Sequence, residues 1–249
     1  MTNVLKQKVL SLKINNFIKK FSLSARREIK KSREFYSQFI KPGSLCFDVG
    51  ANLGNRTSIF KELGADVVAI EPQTFCCNHL NKIFTNNKNI IIIPKALGEK
   101  EGTGQISICE EANVISTMSE KWMKEGRFSK NYHWNTFQKV EITTLDKLIE
   151  EFGLPVFCKI DVEGFEKNVL KGLSHKIKYI SFEFTKELFS ESIECLNIIE
   201  KISDFEVNYS LGESMTLTLN QWVKKSEIIK IINNTYDNNL WGDLYIKTI

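Results

Sequence analysis

The sequence contains no uninterrupted apolar run of the roughly 20 residues that a bilayer-spanning helix needs. It also shows no signal peptide, because Lys6 and Lys8 come early and no apolar core with a small-residue cleavage site follows them. These absences argue against a membrane-spanning or secreted protein. We therefore expect the protein in the cytoplasm.

Cysteine motifs for metal binding are absent as well. The six cysteines form no C-x-x-C pair, and no histidine lies at the spacing of a zinc ligand. Cys46 and Cys158 stand inside apolar runs, where small buried side chains are expected rather than nucleophiles. Reduced thiols in a cytosolic enzyme fit this pattern.

The excess of positive charge belongs to the N-terminal segment. Residues 1–41 contain eleven Lys and Arg and two acidic residues, a net charge of +9, whereas the rest of the chain carries −5. Residues 3–40 contain neither Pro nor Gly, and their apolar residues recur at loosely helical spacing. We predict a basic helical extension over residues 1–42. It can pack on the domain, form an oligomer contact, or touch an anionic membrane surface or nucleic acid, although no firm nucleic-acid signal is present.

After the turn at residues 41–43, strand and helix patterns alternate. The predicted strands are 45–49, 67–70, 90–93, 105–109, 140–143, 156–160, 179–184, 205–209 and 244–246, and the predicted helices are 56–63, 75–84, 145–152, 165–170, 187–201 and 221–232. All-apolar strands suit a parallel sheet that is covered on both faces, and the opening β-α-β-α-β order predicts a doubly wound, Rossmann-like α/β fold. We expect one catalytic domain over residues 43–249, with a lid or binding loop over 110–138.

A glycine-containing segment, D-V-G-A-N-L-G over residues 48–54, lies between the first strand and the first helix. It departs from the G-x-G-x-x-G dinucleotide fingerprint, because Asn52 stands where the second glycine belongs. Asp48 would repel a pyrophosphate but attract a sulfonium. S-adenosylmethionine is a ligand of that kind.

Further acidic residues follow two other predicted strands. Glu71 comes 21 residues after Gly50, where an α/β nucleotide site places the acid that binds the ribose hydroxyls. Asp161 and Glu163 follow a buried strand, and ligands of a doubly wound sheet bind at the carboxyl ends of its strands. We expect all these acids to face one crevice.

Five motifs together resemble the FkbM family of methyltransferases over residues 43–247. They are D-V-G-A-N-x-G at 48–54, I-E-P at 70–72, P-K-A-L-G at 94–98, T-L-D at 144–146 and K-I-D-V-E-G-x-E at 159–166. The resemblance implies a seven-stranded class I methyltransferase sheet with its last strand antiparallel. It also implies O-methylation by S-adenosylmethionine, commonly of a sugar hydroxyl in glycans, glycolipids or natural products.

The same resemblance assigns roles to particular residues. Four of them would hold the methionine part of the donor, namely Asp48, Gly50, Asn52 and Gly54. Glu71 would hold the ribose, Lys95 and Ala96 would lie near the adenine, and Ser116 resembles a serine of the lid. Asp161 and Glu163 would face the reacting centre.

Methyl transfer to a hydroxyl needs alignment of the acceptor and removal of its proton. Asp161 is our candidate base or orienting group, with Glu163 second and His133, in the lid, as a further candidate. Asp161 and Glu163 could also bind Mg²⁺, which would lower the pKa of the hydroxyl. Three rivals remain: a nicotinamide-dependent oxidoreductase, a nucleic-acid methyltransferase and a catalytically silent binding protein.

Overall fold

The structure, a computed structural model, describes residues 23–249. Residues 1–22 lie outside the described residues. They include most of the predicted N-terminal helix and most of the segment considered for membrane, nucleic-acid or oligomer contacts. Within residues 23–249, no helix combines the length and the apolar character needed to cross a membrane.

Ten strands and eight α-helices make up the described chain. The strands are β1 Leu45–Val49, β2 Asp66–Ile70, β3 Ile90–Ile93, β4 Ala96–Leu97, β5 Gly102–Ile108, β6 Thr136–Thr143, β7 Phe157–Ile160, β8 Tyr179–Thr185, β9 Phe205–Leu211 and β10 Trp241–Thr248. The helices are α1 Leu23–Tyr36, α2 Asn55–Glu62, α3 Thr74–Ile83, α4 Glu120–Glu125, α5 Leu145–Phe152, α6 Glu166–Lys171, α7 Phe189–Glu200 and α8 Lys225–Asn233. A 3-10 turn covers Asn113–Ile115.

Seven strands form the main sheet in the order β3-β2-β1-β7-β8-β10-β9. The pairs from β3 to β8 are parallel, and β10 is antiparallel to both of its neighbours, β8 and β9. The predicted doubly wound fold, with its last strand antiparallel, is therefore confirmed. The strand order reverses between β1 and β7, so a crevice opens at the carboxyl ends of these two strands.

Helices cover both faces of this sheet, which explains why its strands are nearly all apolar. Helices α5 to α8 bury their apolar residues in one core cluster, and α1 to α3 contribute to a second cluster on the opposite face. Helix α5 begins where the Thr144 hydroxyl accepts a hydrogen bond from the Lys147 amide at 3.1 Å, and Gly153 ends it.

A second, three-stranded sheet in the order β4-β6-β5 was not predicted as such. Strand β6 begins at Thr136, inside the stretch that we expected to be a loop up to residue 138, because it pairs with β5 over seven residues. Likewise α8 begins at Lys225 and not at residue 221, because Val223 pairs with Val207 in an extended bridge. Helix α4 and the 3-10 turn also interrupt the predicted lid.

The end of the N-terminal segment is an integral part of the core. Phe35, Tyr36, Phe39 and Ile40 are all buried, which agrees with packing on the domain, one of the contacts considered for the predicted extension. The Phe39 ring stacks on Phe157 and on Tyr245, with ring centroids 5.5 and 5.4 Å apart. This aromatic cluster fixes the segment against the middle of the sheet.

Replacing Phe39 with alanine should therefore destabilise the whole domain. We expect Phe39→Ala to lower the free energy of unfolding by about 3–5 kcal/mol, the usual cost of removing a buried phenylalanine. Urea denaturation measures this loss. Phe137→Ala is the matched control, because the Phe137 side chain is 56% exposed. Equal effects of the two substitutions would contradict the packing described here.

Candidate active site

A cleft of about 710 Å³ lies where the strand order of the main sheet reverses. Nine of the eleven predicted site residues line it: Asp48, Gly50, Asn52, Glu71, Lys95, Ala96, Ser116, Asp161 and Glu163. The expectation that the acids at the carboxyl ends of β1, β2 and β7 face one crevice therefore holds in the structure.

The backbone at the bottom of the cleft is tightly packed around Gly50. Its φ is +81°, and a Cβ placed there would lie 1.9 Å from the carbonyl oxygen of Asp161. The Gly50 amide donates to the Ile70 carbonyl at 2.9 Å, and the Asp161 amide donates to the Val49 carbonyl at 2.9 Å. Only glycine fits this position, and its contacts tie the ends of β1, β2 and β7 together.

Asp48 sits below this turn and is almost fully buried. Its carboxylate accepts a hydrogen bond from the Thr57 hydroxyl on α2. Burial raises the pKa of Asp48, and the Thr57 hydrogen bond and the charges of Lys159 and Arg56 act in the opposite direction. The carboxylate is thus held in one orientation behind the glycine turn.

Glu71, directly after β2, holds the same turn in place through hydrogen bonds to backbone amides. One carboxylate oxygen accepts from the Asn52 amide at 2.8 Å, and the other accepts from the Gln73 amide at 2.8 Å. Asn52 has a φ of +48°, so its amide points back at the acid. Burial raises the pKa of Glu71 to about 7, against the two backbone hydrogen bonds that lower it. Near neutral pH this carboxyl can therefore change charge.

Lys95, Ala96 and Ser116 lie on the side of the cleft formed by the small sheet and the 3-10 turn. The Lys95 ammonium pairs with Glu141 at 3.1 Å, so its charge is directed toward β6. Ala96 and Ser116 are buried, and the Ser116 hydroxyl accepts from the Cys109 amide at 3.2 Å.

Two predicted site residues do not line the cleft. Gly54 has a φ of +80° and packs against α3, since a Cβ there would lie 2.7 Å from Leu80 and 3.0 Å from Phe84. Its role in the structure is to start α2 close to α3. His133 is exposed in the segment between α4 and β6, away from the residues that form the cleft. The structure therefore does not bring His133 to the acids.

Three carboxylates converge on the opposite side of the cleft. Oxygens of Asp161, Glu163 and Glu183 lie within 4.8 Å of one another. Burial, followed by the charges of neighbouring acids, raises the pKa of both Glu163 and Glu183 well above its ordinary value. Such crowding of like charges is unfavourable unless a proton or a cation compensates it.

Lys159 compensates part of this charge from within the sheet. It is 1% exposed, and its ammonium lies 3.1 Å from Asp161 and 2.9 Å from Asp243 of β10. Burial alone would lower the pKa of Lys159, but the two aspartates raise it well above its ordinary value. The lysine is therefore a permanent cation, and it fixes the position of Asp161.

Glu166 has a structural task in the same loop. Its carboxylate accepts from the amides of Val162 and Gly164 at 3.1 and 3.2 Å. Burial raises the pKa of Glu166 to about 7, and the backbone hydrogen bonds act against that rise. Glu166 thus shapes the loop that presents Asp161 and Glu163.

Sequence reasoning missed Glu183 and the pairing of Asp243 with Lys159. Both acids stand inside otherwise apolar strands, and they are direct cross-strand partners in the β8–β10 register. A charged residue within a buried strand is a signal that could have found them, because such charges are almost always paired or functional.

The aromatic residues of the predicted lid pack mainly on one another. Trp122 is buried, and Phe128 contacts both Trp122 and Tyr132 edge to face. The Trp134 indole N–H donates to the Ile115 carbonyl at 2.8 Å. These contacts hold the segment between α4 and β6 together internally.

A family model for the methyltransferase FkbM domain matches residues 48–211. The chain belongs to the FkbM methyltransferase family. The main sheet has the seven strands, with β10 antiparallel, that the resemblance to this family implied. Membership of a methyltransferase family argues against the nicotinamide-dependent rival.

One curated relative is similar to part of the chain. Hexuronic acid methyltransferase AglP from Haloferax volcanii is 27% identical over 140 residues, which cover 55% of this chain and 53% of the relative. The chain thus spans about half the length of this relative.

Among solved structures, precorrin-6y C5,15-methyltransferase from Geobacter metallireducens is 8% identical with a TM-score of 0.48, covering 88% of this chain and 87% of its own. A Streptococcus mutans protein solved in complex with S-adenosylhomocysteine (SAH) is 14% identical with a TM-score of 0.42, covering 89% and 97%.

The raised pKa of Glu71 predicts pH-dependent binding of SAH, the product form of the donor. Ribose hydroxyls donate to the ionised carboxylate, so SAH favours the deprotonated form of Glu71. Its affinity should fall as the pH drops through about 7, by about tenfold between pH 8 and pH 6. Isothermal titration across this range measures the effect.

The variant Glu71→Gln supplies the control for that experiment. It should bind SAH more weakly, and its affinity should stay flat over the same pH range because the titrating group is gone. An equal pH dependence in Glu71→Gln and in the native protein would exclude Glu71 as the group responsible.

Proposed function

We propose that the protein transfers the methyl group of S-adenosylmethionine to a hydroxyl of a sugar in a glycan, glycolipid or natural product. The observation that carries this proposal is the position of Asp161. Its backbone touches Gly50 of the donor turn, and its carboxylate belongs to the acid cluster across the cleft. The name of the Haloferax volcanii relative, a hexuronic acid methyltransferase, supports a carbohydrate acceptor.

The residues around the glycine turn fit the donor. Gly50 and Asn52 line the cleft, and Asp48 and Glu71 supply carboxylate oxygens for a sulfonium and for a ribose diol. We assign the methionine part to Asp48, Gly50 and Asn52, and the ribose to Glu71. Lys95, Ala96 and Ser116 would border the adenine.

The bound donor supplies a methyl group on an already activated sulfonium. The protein's own task is then to align the acceptor oxygen and to receive its proton. Asp161 is ion-paired with Lys159, and its side chain remains 40% exposed to the cleft. We therefore assign it the role of orienting the acceptor hydroxyl and accepting its proton.

Glu163 complements Asp161 in a different role. Burial and the neighbouring acids raise the pKa of Glu163 well above its ordinary value, and in its protonated form Glu163 can donate a hydrogen bond to an acceptor oxygen. Mg²⁺ is the alternative compensation, with Asp161 and Glu163 as ligands and Glu183 as a third. Loss of activity with EDTA and its return with Mg²⁺ would favour the metal.

Asp161→Asn should abolish methyl transfer and leave donor binding nearly intact. We expect turnover to fall at least about a hundredfold, since general-base catalysis contributes about that much or more. Transfer of a tritiated methyl group to a panel of glycosides and glycolipids measures turnover, and titration with SAH measures donor affinity.

Asp237→Asn, in the exposed turn before β10, is the matched control and should behave like the native protein. Turnover of Asp161→Asn at the native rate would remove Asp161 from the mechanism. A large loss of SAH affinity in that variant would instead place Asp161 in donor binding.

A further inference from the structure

The acceptor side of the cleft contains more acidic residues than the protein pairs with basic ones. Of the three converging acids, Asp161 is paired with Lys159, which is already shared with Asp243. Within residues 23–249, no Lys, Arg or His nitrogen lies within 4.0 Å of the carboxylates of Glu163 or Glu183. Glu163 and Glu183, whose carboxylate oxygens lie within 4.8 Å of each other, therefore lack a basic partner.

The backbone holds Glu163 in place without satisfying its carboxyl group. Its φ is +54°, and its carbonyl oxygen accepts from the Thr117 hydroxyl at 2.7 Å. The Oε2 atom is buried and has no hydrogen-bond partner. Leaving a buried polar oxygen unpaired is costly, and a residue held this way over a substrate cleft points to a partner on the substrate.

The other basic side chains of the cleft are engaged elsewhere. Arg56 pairs with Glu213. Arg127 makes two hydrogen bonds to Glu187, at 2.9 and 3.0 Å. Lys95 pairs with Glu141, and the remaining lining lysine, Lys31, is exposed on α1. Among the described residues that line the cleft, every Lys and Arg except Lys31 is thus paired with an acid other than Glu163 and Glu183.

We propose that the acceptor carries an ammonium group, as an amino sugar does, and that Glu163 and Glu183 bind this group beside the hydroxyl oriented by Asp161. An ammonium offers three donors to two carboxylates, and its charge would return both acids to their ionised state. A carboxylate at the same place, as in a hexuronic acid, would meet like charges and is rejected. This proposal rests on the sugar methyltransferase function proposed above.

Binding of three simple sugars tests the proposal. Glucosamine, glucose and glucuronate are titrated at equal ionic strength into the full chain saturated with SAH, in the presence of EDTA, and thermal unfolding is followed. We expect apparent affinity to fall in the order glucosamine, glucose, glucuronate, with at least about a tenfold gap between the first two. In Glu183→Gln the preference for glucosamine over glucose should largely disappear.

Two further variants make the result specific. Glu163→Gln should lose the preference as Glu183→Gln does, and it keeps the test valid if one variant does not fold. Glu227→Gln, an exposed position on α8, should keep it. Equal shifts for the three sugars, no shift with any of them, or the tightest binding by glucuronate would overturn the proposal.

Other outcomes separate this proposal from the function on which it rests. Stabilisation by Mg²⁺ alone that Glu183→Gln removes would show that the three acids bind a metal, and the ammonium proposal would be wrong. Failure of the folded protein to bind SAH would defeat the donor site and the proposed function together. Intact SAH binding without a preference for glucosamine would defeat the ammonium proposal alone.

Discussion

The ion pairs of Lys159 hold the catalytic end of the sheet together. The side chain of this β7 lysine is buried, and its ammonium group contacts Asp161 in the loop after β7 and Asp243 in β10. Removing one member of such a buried set leaves an uncompensated charge, at a typical cost of about 3–5 kcal/mol. Strand β8, which contains Glu183, lies between β7 and β10 and pairs with both. The position of the candidate base is therefore a property of the core and not of a mobile loop.

On the donor side of the cleft, Glu71 likewise holds the backbone in place and remains available to a ligand. Glu71 has only two oxygens, and each already accepts a backbone amide, one from Asn52 and one from Gln73. The remaining lone pairs are what a ribose diol can use. Binding of the donor and the shape of the glycine turn are thus linked through one carboxyl group.

The sequence predicted the parts of this protein that depend on local patterns. The alternation of all-apolar strands with helices predicted the doubly wound sheet, and acids at the carboxyl ends of the strands predicted Asp48, Glu71 and Asp161 as site residues. It did not predict β4, which is two residues long, or the start of β6, which depends on pairing with a distant strand. Glu183 and Asp243 were missed for the same reason, because only the register of β8 with β10 makes them neighbours. His133 was chosen by residue type alone, and the fold leaves it exposed.

The central claim is that the donor binds between Gly50 and Glu71 with its reactive sulfur directed at Asp161. A crystal structure of the full chain with SAH tests this most directly. The account predicts both ribose hydroxyls on the Glu71 carboxylate and the sulfur facing the space between the glycine turn and the three acids. SAH bound elsewhere, or in the same cleft with its sulfur turned away from Asp161, would contradict it.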